Sequence, residues 1–239
     1  MKYDVGALPL GAHAVAVFRP RTDAPLPVLY LNAARPGDWS GYLPRLAAEM
    51  GKTLRPAMLI CVGATDWARD FSPWPAPGLY LDSPPFSGGA DARIALLCSA
   101  VKPFIDARFP TLPDRANTGI LGYSLGGLAA LYALYRRPDV FGMAGCLSGS
   151  LWYEGFMDFQ RAHAERIAGA RAYLSLGRKE ERTRHPRMSR IGACCEETHA
   201  LLSAALGRDR VAFVHNPGGH GTDVDDRMLL GLRWLLTFT

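Results

Sequence analysis

Ser124 stands in Gly122-Tyr123-Ser124-Leu125-Gly126, a G-x-S-x-G pattern within GILGYSLGGLAALYALYRRP, residues 119–138. An apolar run ends at the serine, and an apolar helical pattern starts directly after it. A serine at such a strand-to-helix corner has the setting of a nucleophile. Small neighbours admit a strained backbone, and the hydroxyl projects above the strand ends. The Leu125 amide, at the positive end of the following helix, would face an oxyanion forming on a substrate carbonyl. The same small residues would also serve a turn that packs a helix closely on a strand.

A serine needs a base to become a nucleophile. Of the six histidines, His13 and His215 fall inside strand-like runs, whereas His163, His185 and His199 fall in polar segments expected to be solvated. His220 differs, because it follows the last strand-like run in the glycine-rich NPGGHGTDVDD. Such a loop can carry an imidazole over the carboxyl edge of a sheet, where an open α/β fold places its site. An acid that orients the histidine is expected between the two in chain order. Glu180 and Glu181 directly follow the run AYLSLG, and Glu180 is preferred; Asp223, Asp225 and Asp226 are expected to cap the last helix.

Elements that could hold these residues are visible as apolar runs at 13–19, 27–32, 56–63, 118–123, 141–148, 172–177 and 211–216. Most are continuously apolar, as strands covered on both faces are. Helical spacing appears at 93–109, 125–137, 196–207 and 223–236. The alternation predicts an α/β fold with a mostly parallel central sheet, helices on both faces and right-handed crossovers. The first two runs, joined by RPRTDAPL, are expected to form an antiparallel hairpin at the sheet edge. Residues 65–91 form the longest irregular segment, rich in Pro, Gly and aromatics, and are expected to wall a pocket. Trp67, Trp74 and Trp152 have the size to line an acyl or aromatic pocket; core packing accounts for each equally well.

The 239 residues are about half hydrophobic, and no linker, repeat or low-complexity stretch divides them, which predicts one domain over 1–239. The net charge of +5 is dispersed and gives no support to nucleic-acid binding. No stretch is long enough to cross a bilayer, and the N-terminus lacks the apolar core of a signal peptide, so a cytoplasmic protein is expected. Cys61, Cys98, Cys146, Cys194 and Cys195 show neither metal-ligand spacing nor a disulfide framework. No metal or cofactor is called for, and the oligomeric state is not visible.

With serine, acid and histidine in order, the chain resembles the "putative esterase" family of α/β-hydrolases, also called esterase D-like, over about residues 14–236. PVLYLN, ARDFSPW, FSGGADARIALL, the stretch from VKPFIDARFP to GYSLGGLAALY, RPDVFGMAGCLSGSLWY, SLGRKEE and GGHGTDVDDRMLLGLRWL carry the likeness. That family includes trilactone siderophore esterases, feruloyl esterases and mycolyltransferases. The resemblance implies the α/β-hydrolase fold and a serine esterase working on a small-molecule ester, with a trilactone siderophore as the sharpest substrate. A short-acyl or S-formylglutathione-type esterase, an acyltransferase, and a binding module on a hydrolase scaffold are the alternatives. It also implies a second oxyanion donor in the amide of Ala34, where Asn32-Ala33 replaces the family's Asp-Gly. The Arg69-Asp70 pair matches a family pair bordering the cleft, so Arg69 would hold an anionic or catecholate group or else stiffen its own loop. Trp152 lies in SGSLWY, where this chain has Gly149 for the family's usual proline and Tyr153 for a second tryptophan.

Overall fold

The computed structural model describes residues 2–11, 13–34 and 41–237. Eight strands form one sheet: β1 (Tyr3–Leu10), β2 (His13–Pro20), β3 (Val28–Asn32), β4 (Met58–Val62), β5 (Thr118–Tyr123), β6 (Met143–Leu147), β7 (Arg171–Gly177) and β8 (Val211–Asn216). Their order across the sheet is β1-β2-β4-β3-β5-β6-β7-β8. From β4 to β8 every neighbouring pair is parallel; β2 joins β4 and β1 in antiparallel fashion. The sheet is mostly parallel, as the continuously apolar runs require.

Side chains alternate between two cores. Val28 and Tyr30 of β3 enter one, while Leu29 and Leu31 enter the other. The first core lies under α2 (Ala90–Leu96), α3 (Lys102–Asp106), α4 (Leu125–Arg136), α5 (Phe156–Ala162) and α6 (Ile191–Leu206). The second lies under α1 (Leu43–Glu49) and α7 (Val224–Thr237). A π turn at Leu97–Val101 joins α2 to α3 inside the expected 93–109 helix. Helix α6 starts at Ile191, five residues before the expected 196, because Ile191, Cys194 and Cys195 extend its buried face. The two cysteines are packing residues, and burial pushes both thiols up.

One expectation is overturned. The runs at 13–19 and 27–32 are not a hairpin: β2 pairs with β1 and β4, and β3 lies between β4 and β5. The hairpin partner is β1, whose burial is slight along most of its length. An edge strand facing solvent needs no apolar run, so nothing in YDVGALPL marks it. Among the described residues, no helix is long and apolar enough to cross a membrane.

Candidate active site

The carboxyl ends of β3, β5, β6, β7 and β8 converge on one edge, and the chemistry-bearing residues follow them. Ser124 connects β5 to α4 with φ 58° and ψ −124°, a conformation L-residues rarely hold. Its backbone is fixed from both sides. The Ser124 amide donates to Leu147 O at 3.0 Å, and the Ser150 amide donates to Ser124 O at 3.1 Å. Glycine is required around it: a Cβ on Gly122 would lie 2.5 Å from the Gly126 backbone, and one on Gly126 would lie 2.9 Å from Asn32 O. Leu125 opens α4, so its amide has no intrahelical acceptor four residues back.

His220 Nε2 lies 3.1 Å from Ser124 Oγ, and His220 Nδ1 lies 2.8 Å from Glu180 Oε2. An ionised carboxylate only accepts, so Nδ1 carries the imidazole proton and Nε2 is left to accept from the serine hydroxyl. The histidine is half exposed, whereas the Glu180 side chain is 3% exposed. Burial by itself would raise the Glu180 carboxyl; hydrogen bonds from His220, from the Ser148 hydroxyl and from the Gly177 amide outweigh it and hold it below its ordinary value. Ser148 Oγ donates to Glu180 Oε1 at 2.6 Å, and the Gly177 amide donates to the same oxygen at 2.7 Å. Glu181, the alternative acid, is exposed and does not line this cavity.

The three residues open on a cavity of about 340 Å³. Its other walls include Trp67, Leu79, Phe86, Trp152, Met188 and Ile191, which make it largely apolar. The irregular 65–91 segment supplies Trp67, Ala68, Leu79 and Phe86, so it walls this pocket. Trp152 is on the wall as well. Trp74 is not; its ring packs against Tyr132, Tyr153, Phe156 and Phe159.

Two expected participants lie elsewhere. Ala34 lines a neighbouring cavity of about 360 Å³, which shares Trp67 with the first. Arg69 lines a third cavity with His13, Thr65 and Arg93, and is not brought to Ser124. Its Nε and Nη2 donate to Asp70 Oδ1 at 2.9 and 2.8 Å, and Nη2 also donates to Thr65 Oγ1 at 2.6 Å. Of the two roles weighed for Arg69, the contacts are those of a loop brace. His185, expected to be solvated, is half-buried with its ring against Leu79 O and Tyr80.

The sequence reading missed Arg227, whose side chain is 1% exposed and paired with Glu180 Oε1 at 2.9 Å. It also missed Ser148 and Tyr123 as polar partners of the site; the Tyr123 hydroxyl donates to His220 O at 2.5 Å. A signal for Arg227 was present. It falls one turn before Gly231 and two before Leu235, on the buried stripe of α7. A charge on an apolar stripe must have a buried partner.

The family model described as "Putative esterase" matches residues 13–223. The chain belongs to that family. Relatives of this esterase-family chain include an uncharacterized protein, YbbA, of Bacillus subtilis, 29% identical over 125 residues, 52% of this chain and 50% of that protein. The siderophore triacetylfusarinine C esterase of Aspergillus fumigatus is 36% identical over 77 residues, 32% of this chain and 26% of the esterase. These matches span half the length of the curated relatives or less. Among solved structures, the siderophore hydrolase EstA of Aspergillus nidulans superposes with a TM-score of 0.76 at 18% identity, covering 98% of this chain and 93% of that one. The esterase-family fold therefore extends over nearly all of this chain.

Proposed function

We propose that this protein is a serine hydrolase of carboxylic esters in which Ser124 is the nucleophile, His220 the general base and Glu180 the acid that orients it. The observation that carries the reading is the hydrogen-bonded chain Ser124–His220–Glu180 on a positive-φ corner facing an apolar cavity. As Ser124 Oγ bonds to the ester carbonyl carbon, its proton passes to His220 Nε2. The carbonyl oxygen takes the electron pair and is met by the Leu125 amide; a donor of this kind contributes roughly 3–4 kcal/mol. The C–O bond to the alcohol then breaks, and His220 delivers its proton to the departing oxygen. Water repeats the sequence on the acyl-enzyme, returning the serine and releasing the acid.

Family membership and the activities of the siderophore esterase relatives favour a siderophore ester as the substrate. The apolar walls built by Trp67, Phe86 and Trp152 suit an aryl or alkyl acyl arm. No cofactor enters this chemistry.

The test compares wild type with Ser124→Ala on short p-nitrophenyl esters and on a ferric trilactone siderophore, with fluorophosphonate labelling in parallel. Turnover and labelling confined to wild type, with the label on Ser124, are expected. Equal turnover by the two proteins would remove the serine mechanism. Binding of the siderophore without turnover or labelling would make the chain a binding module instead.

A further inference from the structure

Arg227 is among the largest fully buried side chains of the molecule. Burying a guanidinium is costly, and where only volume matters an apolar side chain does as well or better. Its placement therefore calls for an account beyond packing. Nη1 lies within hydrogen-bond distance of Glu180 Oε1 at 2.9 Å, Ser148 Oγ at 3.0 Å and the Tyr123 hydroxyl at 2.8 Å. Nη2 donates to Pro217 O at 2.8 Å and Gly219 O at 2.9 Å.

These partners belong to four separate pieces of the edge. Tyr123 ends β5 and precedes Ser124; Ser148 follows β6; Glu180 follows β7; Pro217 and Gly219 are in the loop that carries His220. That loop is short of side chains to anchor it, since Gly218, Gly219 and Gly221 surround the histidine. The planar fork holds the acid through Oε1, leaving Oε2 for His220, and with its other nitrogen holds the Pro217 and Gly219 carbonyls that lead into the histidine. Tyr123 completes the tie by donating to His220 O.

We propose that Arg227 is a positioning residue, which fixes Glu180 and the His220 loop relative to each other and to the strand that presents Ser124. The proposal rests on the reading of Ser124, His220 and Glu180 given under Proposed function. Lysine would be a poor substitute, because one ammonium cannot reach the carboxylate and both loop carbonyls in this geometry.

The experiment uses Arg227→Met, Arg227→Lys and, as a control on the same helix, Leu232→Ala, which empties a fully buried position of the second core. Three readouts are taken: urea unfolding, kcat and KM per folded molecule on a p-nitrophenyl ester, and the downfield NMR resonance of the His220 Nδ1 proton. For Arg227→Met the expected result is a kcat loss of about 100-fold with KM little changed, as for a misplaced catalytic group. The downfield resonance should be lost too. Arg227→Lys should fall between Met and wild type, and it answers the question if Arg227→Met fails to fold. Leu232→Ala should lose stability while keeping both kcat and the resonance. Combined with Glu180→Gln, Arg227→Met should cost less than the product of the two single losses. Wild-type kcat and an intact resonance in both Arg227 variants would overturn the proposal. So would losses that merely track stability as in Leu232→Ala. Loss of the resonance in a protein whose wild type turns over no ester would leave Arg227 in its place and remove the hydrolase reading alone.

Discussion

The proposed nucleophile and its partners are held by opposite means. Ser124 is positioned by backbone alone: glycines that let α4 approach β5, and amide hydrogen bonds on either side of the corner. Glu180 and His220 are positioned mainly by side chains: Ser148 and Arg227 hold the carboxylate beside the Gly177 amide, and Tyr123 and Arg227 hold the loop of His220. A backbone device tolerates no added atom but needs no particular polar partner. A side-chain network tolerates changes of shape but depends on each charge and each proton.

The largest expected effect is on the side-chain half. Glu180→Gln preserves shape and removes the ionised acceptor, so kcat on a p-nitrophenyl ester should fall by about 10⁴-fold, the size seen when a triad acid becomes an amide. On the backbone half, Gly122→Ala should act on stability, because its Cβ would meet the Gly126 backbone at 2.5 Å. Overpacking of this kind costs about 1–3 kcal/mol, readable as a lowered urea midpoint.

A pH series separates the halves differently. The Glu180 carboxyl is held below its ordinary value of 4.5 in the folded protein, so on acidification the unfolded chain binds the proton first. Its contribution to stability is therefore complete above about pH 4.5 and is lost as pH falls through the lower folded value. Urea midpoints measured down the acid limb should fall more steeply for wild type than for Glu180→Gln. Were the two limbs to coincide, Glu180 would not be the ionised, hydrogen-bonded group described. The smallest effect belongs to the neighbouring residue. Glu181→Gln should leave kcat unchanged and stability within about 0.5 kcal/mol, as exposed substitutions do.

The same contrast explains what could be read in the sequence. The elbow was legible because backbone devices need particular residue types at fixed spacing, and glycines around a serine are such a code. The interior strands were legible because burial on both faces forces continuous apolar runs. Strand β1 was not, because an exposed edge asks little of its side chains. Arg227 meets Glu180 across 47 positions and from a helix on the opposite face of the sheet from α4 and α6, so no local pattern links them. Arg69 shows the converse: its sequence neighbour Asp70 claims it, and proximity along the chain outweighed the pull of the cleft.

The positive φ of Ser124 also has a thermodynamic side. A residue with a Cβ held at φ 58°, ψ −124° carries strain of about 1–3 kcal/mol, which glycine would largely relieve. Glycine gives back part of this through the greater freedom of its unfolded chain, about 0.5–1 kcal/mol. Ser124→Gly should therefore unfold at higher urea than Ser124→Ala, which keeps the strain, and at least as high as wild type. Of these three forms, the most stable would then be one without the proposed nucleophile. On the proposed reading, the strain at that corner is the cost of holding a reactive hydroxyl above the strand ends.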